Sequence, residues 1–295
     1  MRNQEKTLFP DFEYLKPRNL KEALQPLGEL GERCRLLAGG TALLVDVRDG
    51  HVSPELLVDI GELDVLRFIK VDGEIMRVGA ATTLMEIEES PLLQKEASFL
   101  VAAASSVGGP QIRNRATIGG NLLYASLGAD MAPPLLALGA TLRLVSLKGE
   151  RQVPIEEFFV GPRRTICRAD ELLTEVSFPI GKAGRGAFIK LGLRNAMAIS
   201  VGSVAVYLEI DPSTSIVQEA RISLGALAPT PIRIKTLEDM LRGERASAPL
   251  IKEVAEAAKR QVHPRSSSIR SSPEYRRAVA GALVQKALEQ AILSD

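Results

Sequence analysis

Two short segments built on paired glycines constrain this chain more than any other feature. The first is Leu36-Leu37-Ala38-Gly39-Gly40-Thr41. The second is Thr117-Ile118-Gly119-Gly120-Asn121, followed by Ser126 and Asp130. Adjacent glycines let a backbone turn tightly and bring bare N–H groups up to a ligand. One such loop cradles a phosphate poorly. Two converging loops can hold both halves of a pyrophosphate, which points to a dinucleotide. The first segment lacks the spacing of the Rossmann fingerprint and of the P-loop. Taken alone it is also explained as an ordinary tight turn, and the second as a buried turn whose Asn121 and Asp130 satisfy local backbone.

At 295 residues the chain exceeds what one simple core spans, so two or three subdomains are expected. A hydrophobic content of 45% and a charged content of 25% describe an ordinary soluble globular protein. The 37 basic and 36 acidic residues leave a net charge of +1, which gives no general pull toward nucleic acid or an anionic membrane. Met1 to Tyr14 is polar and has no apolar core of signal-peptide length. The longest apolar stretch, Met131 to Leu138, carries Pro133 and Pro134 and is too short to insert into a bilayer, so a cytoplasmic location is the default. Cys34 and Cys167 stand alone without CxxC spacing, which argues against a disulfide framework or an iron–sulfur cluster within this chain.

Along the chain, residues 1–60 read as a small α/β unit. Asn19 with Glu22 gives a capping-box pattern ahead of the apolar stripe Leu20, Ala23, Leu24 and Leu27. Pro26 within that stripe should kink or shorten the helix. Arg35–Leu37 and Glu55–Ile60 read as strands. Residues 61–180 read as a second unit. It has a strand at Met76–Gly79, a helix from Leu84 to Val107 broken at Pro91, and a firm stop at Gly108-Gly109-Pro110. A short helix from Pro133 to Leu138, a hairpin of Thr141–Ser146 with Gln152–Ile155 around Lys148-Gly149, and a strand at Leu172–Phe178 complete it. Residues 184–295 read as three strands, Ala187–Arg194, Gly202–Ile210 and Gln218–Leu227. Three helices follow, Lys235–Leu241, Leu250–Val262 and Pro273–Leu293. That order suggests an α+β domain whose antiparallel sheet is covered on one face. The serines at 266–268 and 271–272 read as a loop.

Other chemistry is sparse. His51 and His263 are the only histidines and lie far apart, so neither a zinc site nor a nucleophile system can be assembled around them. Glu86, Glu88 and Glu89 read as a solvated helix face, as do Arg276 and Arg277 at the start of the last helix. In the strand from Ala187, Lys190 and Arg194 share a face and could meet an anion or an electron-rich ring, or simply solvent.

Several segments together resemble the FAD-binding medium subunits of molybdenum hydroxylases, the group of the xanthine dehydrogenase flavin domain and the carbon monoxide dehydrogenase medium subunit. The similarity runs over nearly the whole chain. It includes Ala38–Thr41, Thr117–Asn121, Asp130-Met131-Ala132-Pro133, Ala187–Lys190, Arg194–Ile199 and Tyr275-Arg276-Arg277. The resemblance implies an α+β protein: a two-subdomain FAD-binding fold of the vanillyl-alcohol oxidase type, then a C-terminal α+β domain of the carbon monoxide dehydrogenase flavoprotein type. It implies pyrophosphate contacts from Leu37, Ala38, Gly39, Gly40, Thr41 and Ala42, and from Thr117, Ile118, Gly119, Gly120 and Asn121. It places Tyr124, Ser126 and Asp130 along the nucleotide, Leu173 and Lys190 near the flavin end, and Ile199 close to the ring. Two positions depart from the family pattern. Leu127-Gly128 follows Ser126 where Pro is frequent, and Ala42 stands where Asp often follows Thr. The cysteine-rich insertion of the 4-hydroxybenzoyl-CoA reductase branch is missing.

The expected role is then electron transfer through non-covalent FAD. Electrons would come from a small subunit with 2Fe–2S clusters, fed by a large molybdenum-cofactor subunit, and would leave to an external acceptor. The family resemblance suggests a dimer of heterotrimers, with no nucleic acid and no membrane insertion. The alternatives are a self-contained flavin oxidase of the same fold and a nucleotide-binding regulatory protein.

Overall fold

Three main β-sheets follow one another along the chain. The computed structural model describes residues 10–181, 184–264 and 270–293. The first sheet holds β1 (Glu13–Leu15), β2 (Cys34–Leu37) and β3 (Leu56–Asp59) in the order β1-β3-β2, with both pairings parallel. Parallel neighbours need crossovers, and the helices Leu20–Leu30 and Leu43–Arg48 supply them. In the first helix the Asn19 side chain accepts from the Glu22 N–H, while the Glu22 carboxylate reaches back to the Arg18 N–H. The helix passes through Pro26 and ends at Leu30, before Gly31 at φ 55°. Pro26 therefore does not shorten it. The ring is buried beside Ala23, Leu24 and Leu27, and that burial offsets the missing N–H.

The second sheet contains β4 (Ile69–Asp72), β5 (Ile75–Gly79), β6 (Thr141–Ser146) and β7 (Gly149–Pro154). A short hairpin of β8 (Phe159–Gly161) and β9 (Arg164–Thr165) follows before β10 (Leu172–Pro179). The order is β4-β5-β10-β6-β7, antiparallel throughout, so the last strand to be made inserts between β5 and β6. Met76, Val78, Leu142, Leu144, Val176 and Phe178 meet Leu100, Leu122 and Leu135 of the helices in one core. The expected helix 84–107 is three helices, Leu84–Glu88, Pro91–Glu96 and Ser98–Ser105. Ser90 and Pro91 make the first break, and Ala97, off helical geometry at ψ 54°, makes the second. Glu86 and Glu88 are not a free solvated face: Glu86 closes a capping box with Thr83 and pairs with Arg67, and Glu88 pairs with Arg113.

The third sheet is β11 (Gly184–Leu191), β12 (Gly202–Ile210), β13 (Val217–Gly225) and β14 (Ile232–Arg233), antiparallel in sequence order. Sequence alone suggested a sheet covered on one face; this one is buried on both. Ala187, Ile189, Val204 and Val206 pack under the helices Lys235–Leu241, Ala248–Gln261 and Pro273–Leu293. Phe188 and Ala205 join the core of the second sheet. On that side a Cβ at Gly186 would lie 2.2 Å from the Phe99 ring, and the Ser223 hydroxyl donates to the Pro133 carbonyl at 2.6 Å. β11 stops at Leu191, so Gly192 and Arg194 lie in a loop, where Arg194 donates to the Met197 carbonyl. Arg276 is buried and bonds the Ala226 carbonyl and the Ser271 hydroxyl, which corrects its reading as a solvated residue. The serines at 266–268 lie outside the described residues.

Candidate functional site

The two glycine segments line one cavity of about 430 Å³, set between the first and second sheets. They do so by different means. In the first, a Cβ at Gly39 would sit 1.8 Å from the Arg115 carbonyl oxygen, so only glycine lets this turn lie against residues 115–116. Gly40 is left-handed at φ 72°. The turn leaves the edge of β2 and leads into the helix Leu43–Arg48. As a result the backbone N–H groups of Ala38, Gly39, Gly40, Thr41 and Ala42 find no acceptor among the described residues. Successive unpaired donors around a left-handed glycine form a concavity that suits an anion.

The second segment has spent its backbone donors from Ile118 to Asn121. The Ile118 N–H bonds the Thr82 carbonyl, and the Gly119 N–H bonds the Ala80 carbonyl at 2.9 Å. The Thr117 hydroxyl caps Gly120, and the Asn121 N–H returns to the Thr117 carbonyl. A Cβ at Gly119 would come 2.7 Å from the Ala80 oxygen. This glycine therefore serves the close approach of helix Ile118–Tyr124 to the backbone just past β5. What the segment offers the cavity is side chains. The Asn121 carbonyl oxygen accepts weakly from Met131 N–H at 3.4 Å, and its amide N–H₂ has no acceptor among the described residues.

Ala38, Gly39, Gly40, Thr41, Ala42, Thr117, Gly119, Gly120, Asn121, Tyr124, Ser126 and Leu173 all line this cavity. Leu37 packs beneath the turn, where its side chain would touch a Cβ at Gly40, and Ile118 is fully buried in the core. Asp130 and Lys190 lie outside the cavity and face each other. Lys190 Nζ sits 2.7 Å from the Asp130 carboxylate and donates to the Ser106 carbonyl at 2.8 Å, while the Ser200 hydroxyl donates to Asp130. Lys190 borders a neighbouring cavity of about 590 Å³ that Arg113, Arg194 and Met197 share. Ile199 is 53% exposed and packs toward Gly128.

Sequence reasoning missed several residues of the cavity. Leu36, Ile60, Val107, Ile112 and Leu123 give it apolar walls. Asp46, from the helix after the first turn, and Arg163, from the β8–β9 turn, form an ion pair there, with the Arg163 guanidinium carbon 4.4 Å above the Tyr124 ring. A carboxylate within the apolar run Leu43–Val47 was a visible signal; Arg163, within Pro162-Arg163-Arg164, gave none. Cys167 and Glu171 stand at the cavity too. Burial pushes the Cys167 thiol up to about 12, so it stays protonated. Glu171 is held below the usual carboxylate range by a two-pronged bond from Arg151, at 2.7 and 2.8 Å, against the opposing effect of burial. Among the described residues no cluster of His, Cys, Asp or Glu could hold a metal ion, and no helix is long and apolar enough to cross a membrane.

Residues 10–181 match the FAD-binding domain of molybdopterin dehydrogenases, and residues 187–291 match the C-terminal domain of carbon monoxide dehydrogenase flavoproteins. The chain is 36% identical to the nicotinate dehydrogenase FAD-subunit of Eubacterium barkeri, over 84% of this chain and 83% of that one. It is 34% identical to a putative xanthine dehydrogenase FAD-binding subunit of Escherichia coli K12, over 97% of each. Among solved structures, carbon monoxide dehydrogenase from Hydrogenophaga pseudoflava superposes with a TM-score of 0.92 at 32% identity, covering 97% of this chain and 99% of that one. Quinoline 2-oxidoreductase from Pseudomonas putida 86 gives 0.90 at 30% identity, covering 96% and 97%. Matches of this length and identity across both halves leave one conclusion: the chain belongs to the family of FAD-binding subunits of molybdopterin-dependent dehydrogenases.

Proposed function

We propose that the chain binds FAD non-covalently in the groove between the two glycine segments and carries electrons as one subunit of a molybdenum hydroxylase. The observation that carries the site is the row of unpaired N–H groups from Ala38 to Ala42. A pyrophosphate would supply the acceptors these donors lack, with the Asn121 amide as a further donor to it. Leu36, Ile60, Val107, Leu123 and Leu173 offer apolar walls for the aromatic ends of the dinucleotide. FAD, when bound, supplies the redox chemistry, gathering electrons singly and releasing a pair. The protein binds it, orients it and keeps water from it. Lys190 borders the neighbouring cavity with its charge balanced by Asp130, so any influence of it on the ring end would come from outside the groove.

The units are residues 1–60 and 61–180 for the cofactor and 184–295 for the C-terminal domain. The partners are a large molybdenum-cofactor subunit and a small subunit with 2Fe–2S clusters, arranged as a dimer of heterotrimers in the cytoplasm. Relatives named as a medium chain or an FAD-subunit support this reading.

The test is the absorbance of the purified full-length chain, followed by acid precipitation. Flavin bands whose yellow colour moves to the supernatant are expected. A colourless chain that takes up no added FAD overturns the site, and flavin retained in the pellet overturns non-covalent binding. Efficient oxidation of aldehydes, heteroaromatics or carbon monoxide by the isolated flavin-loaded chain overturns the subunit role.

A further inference from the structure

Three segments far apart in sequence meet at the cavity wall around Asp46. The residue lies one helical turn past the first glycine segment, and its N–H bonds the Ala42 carbonyl at 3.1 Å. Its carboxylate is buried, yet it faces the cavity. Arg163 forms an ion pair with it from the β8–β9 turn, half-exposed and at φ 57°. The Tyr124 hydroxyl makes a long bond of 3.4 Å to the same carboxylate, and the exposed His51 Nδ1 stands 3.6 Å away.

This placement poses an electrostatic problem. The unit that offers its N–H groups to a pyrophosphate carries a carboxylate a single turn further on. Like charges at short range in a partly dry cavity repel strongly. A buried carboxylate is also costly unless it is paired. Arg163 answers both, because its charge cancels that of Asp46 and its plane is fixed by stacking on Tyr124.

We propose that Arg163 is the counter-ion that lets the Asp46 carboxylate stand beside a bound pyrophosphate, so that FAD affinity depends on the negative charge of Asp46 being cancelled. The inference rests on the groove being the FAD site. Neither residue needs to touch the cofactor for this. Arg163 acts on binding through Asp46.

That indirect action has a signature in a double-mutant cycle. Arg163→Gln leaves an unopposed carboxylate and should weaken FAD binding about tenfold, while Asp46→Asn removes the repulsion and should stay within about threefold of wild type. The double variant Asp46→Asn/Arg163→Gln should regain most of the affinity that Arg163→Gln loses. Arg163→Lys keeps the charge and should lose less than Arg163→Gln. The measurement is FAD titration of the deflavinated full-length chain by flavin fluorescence, with the melting temperature of each apo-variant as a check on folding. A double variant as weak as Arg163→Gln would mean that Arg163 grips the cofactor directly, and would overturn the proposal. Unchanged binding in Arg163→Gln, or losses that simply track lowered melting temperatures, would overturn it too. A wild-type chain that binds no FAD removes the groove assignment and this inference together; a binding wild type with a silent cycle removes this inference alone.

Discussion

The two glycines of the second segment do different work, and single substitutions should separate them. A Cβ at Gly119 runs into the Ala80 carbonyl, which is backbone and cannot swing aside. Gly119→Val should therefore lower stability by about 3 kcal/mol, the upper end of ordinary overpacking, with flavin loss following from the damaged fold. A melt of the apo-variant checks this, and a normal melt would refute it. Gly120 is exposed, and a Cβ there would press only on the Thr117 hydroxyl, 2.9 Å away. Gly120→Ala should cost about 1 kcal/mol, the worth of one helix cap, and leave the chain folded. Sequence alone treats the pair as one ligand loop, because the spacing Gly-Gly is visible and the Ala80 backbone against it is not. Glu171 gives a pH signature. Its folded value lies below the ordinary glutamate value, chiefly through Arg151, so its contribution is fully present above about pH 4.3 and is lost as pH falls through the lowered value. Glu171→Gln should lower the melting temperature at pH 7 and flatten its decline on the acid side. An unchanged acid limb would rule out that linkage.

Where elements join, the most consequential contact is the buried pair of Asp130 and Lys190. It fastens the stretch after helix Ile118–Tyr124 to the end of β11, and Ser106 and Ser200 bring in the helix Ser98–Ser105 and the loop before β12. Asp130→Asn leaves Lys190 charged and poorly paired, and should cost about 3–5 kcal/mol in a denaturant melt. Adding Lys190→Met should recover part of that loss; a purely additive double variant would show that the two do not act as a pair. Both residues were legible as important from the segments around them, but their mutual contact was not, because sixty positions of chain and two sheets separate them. Most strands and helices were legible from periodicity and turn chemistry: β2, β3, β10 and the helices Lys235–Leu241 and Pro273–Leu293 lie where the pattern put them. β1 and β4 were not, since Glu13–Leu15 and Ile69–Asp72 are edge strands of only three and four residues, too short for a pattern to stand out. The sheet of β11–β14 was expected to have one wet face. Its second apolar face shows up only when Phe188 and Ala205 are seen to meet the middle core.

For the molecule as a whole, ligand linkage sets a measurable scale. FAD at a hundredfold excess over its Kd should stabilise the chain by about 2.7 kcal/mol, visible as a rise in melting temperature that grows with the logarithm of FAD concentration. AMP, which has no pyrophosphate for the Ala38–Ala42 donors, should raise it much less; an equal rise would argue that those donors are not engaged. The insertion of β10 between β5 and β6 bears on how the protein comes into being. On the ribosome, β5 is complete on the order of ten seconds of synthesis before β10 emerges. Through that interval β5, joined by β6 once Ser146 has been made, presents a naked edge, the surface on which nascent chains pair with strangers. Leu173, on the same late strand, is also a wall of the groove. A cofactor offered before β10 emerges therefore meets a groove that lacks its Glu171 and Leu173 wall. FAD loading is expected once β10 has emerged and closed that wall.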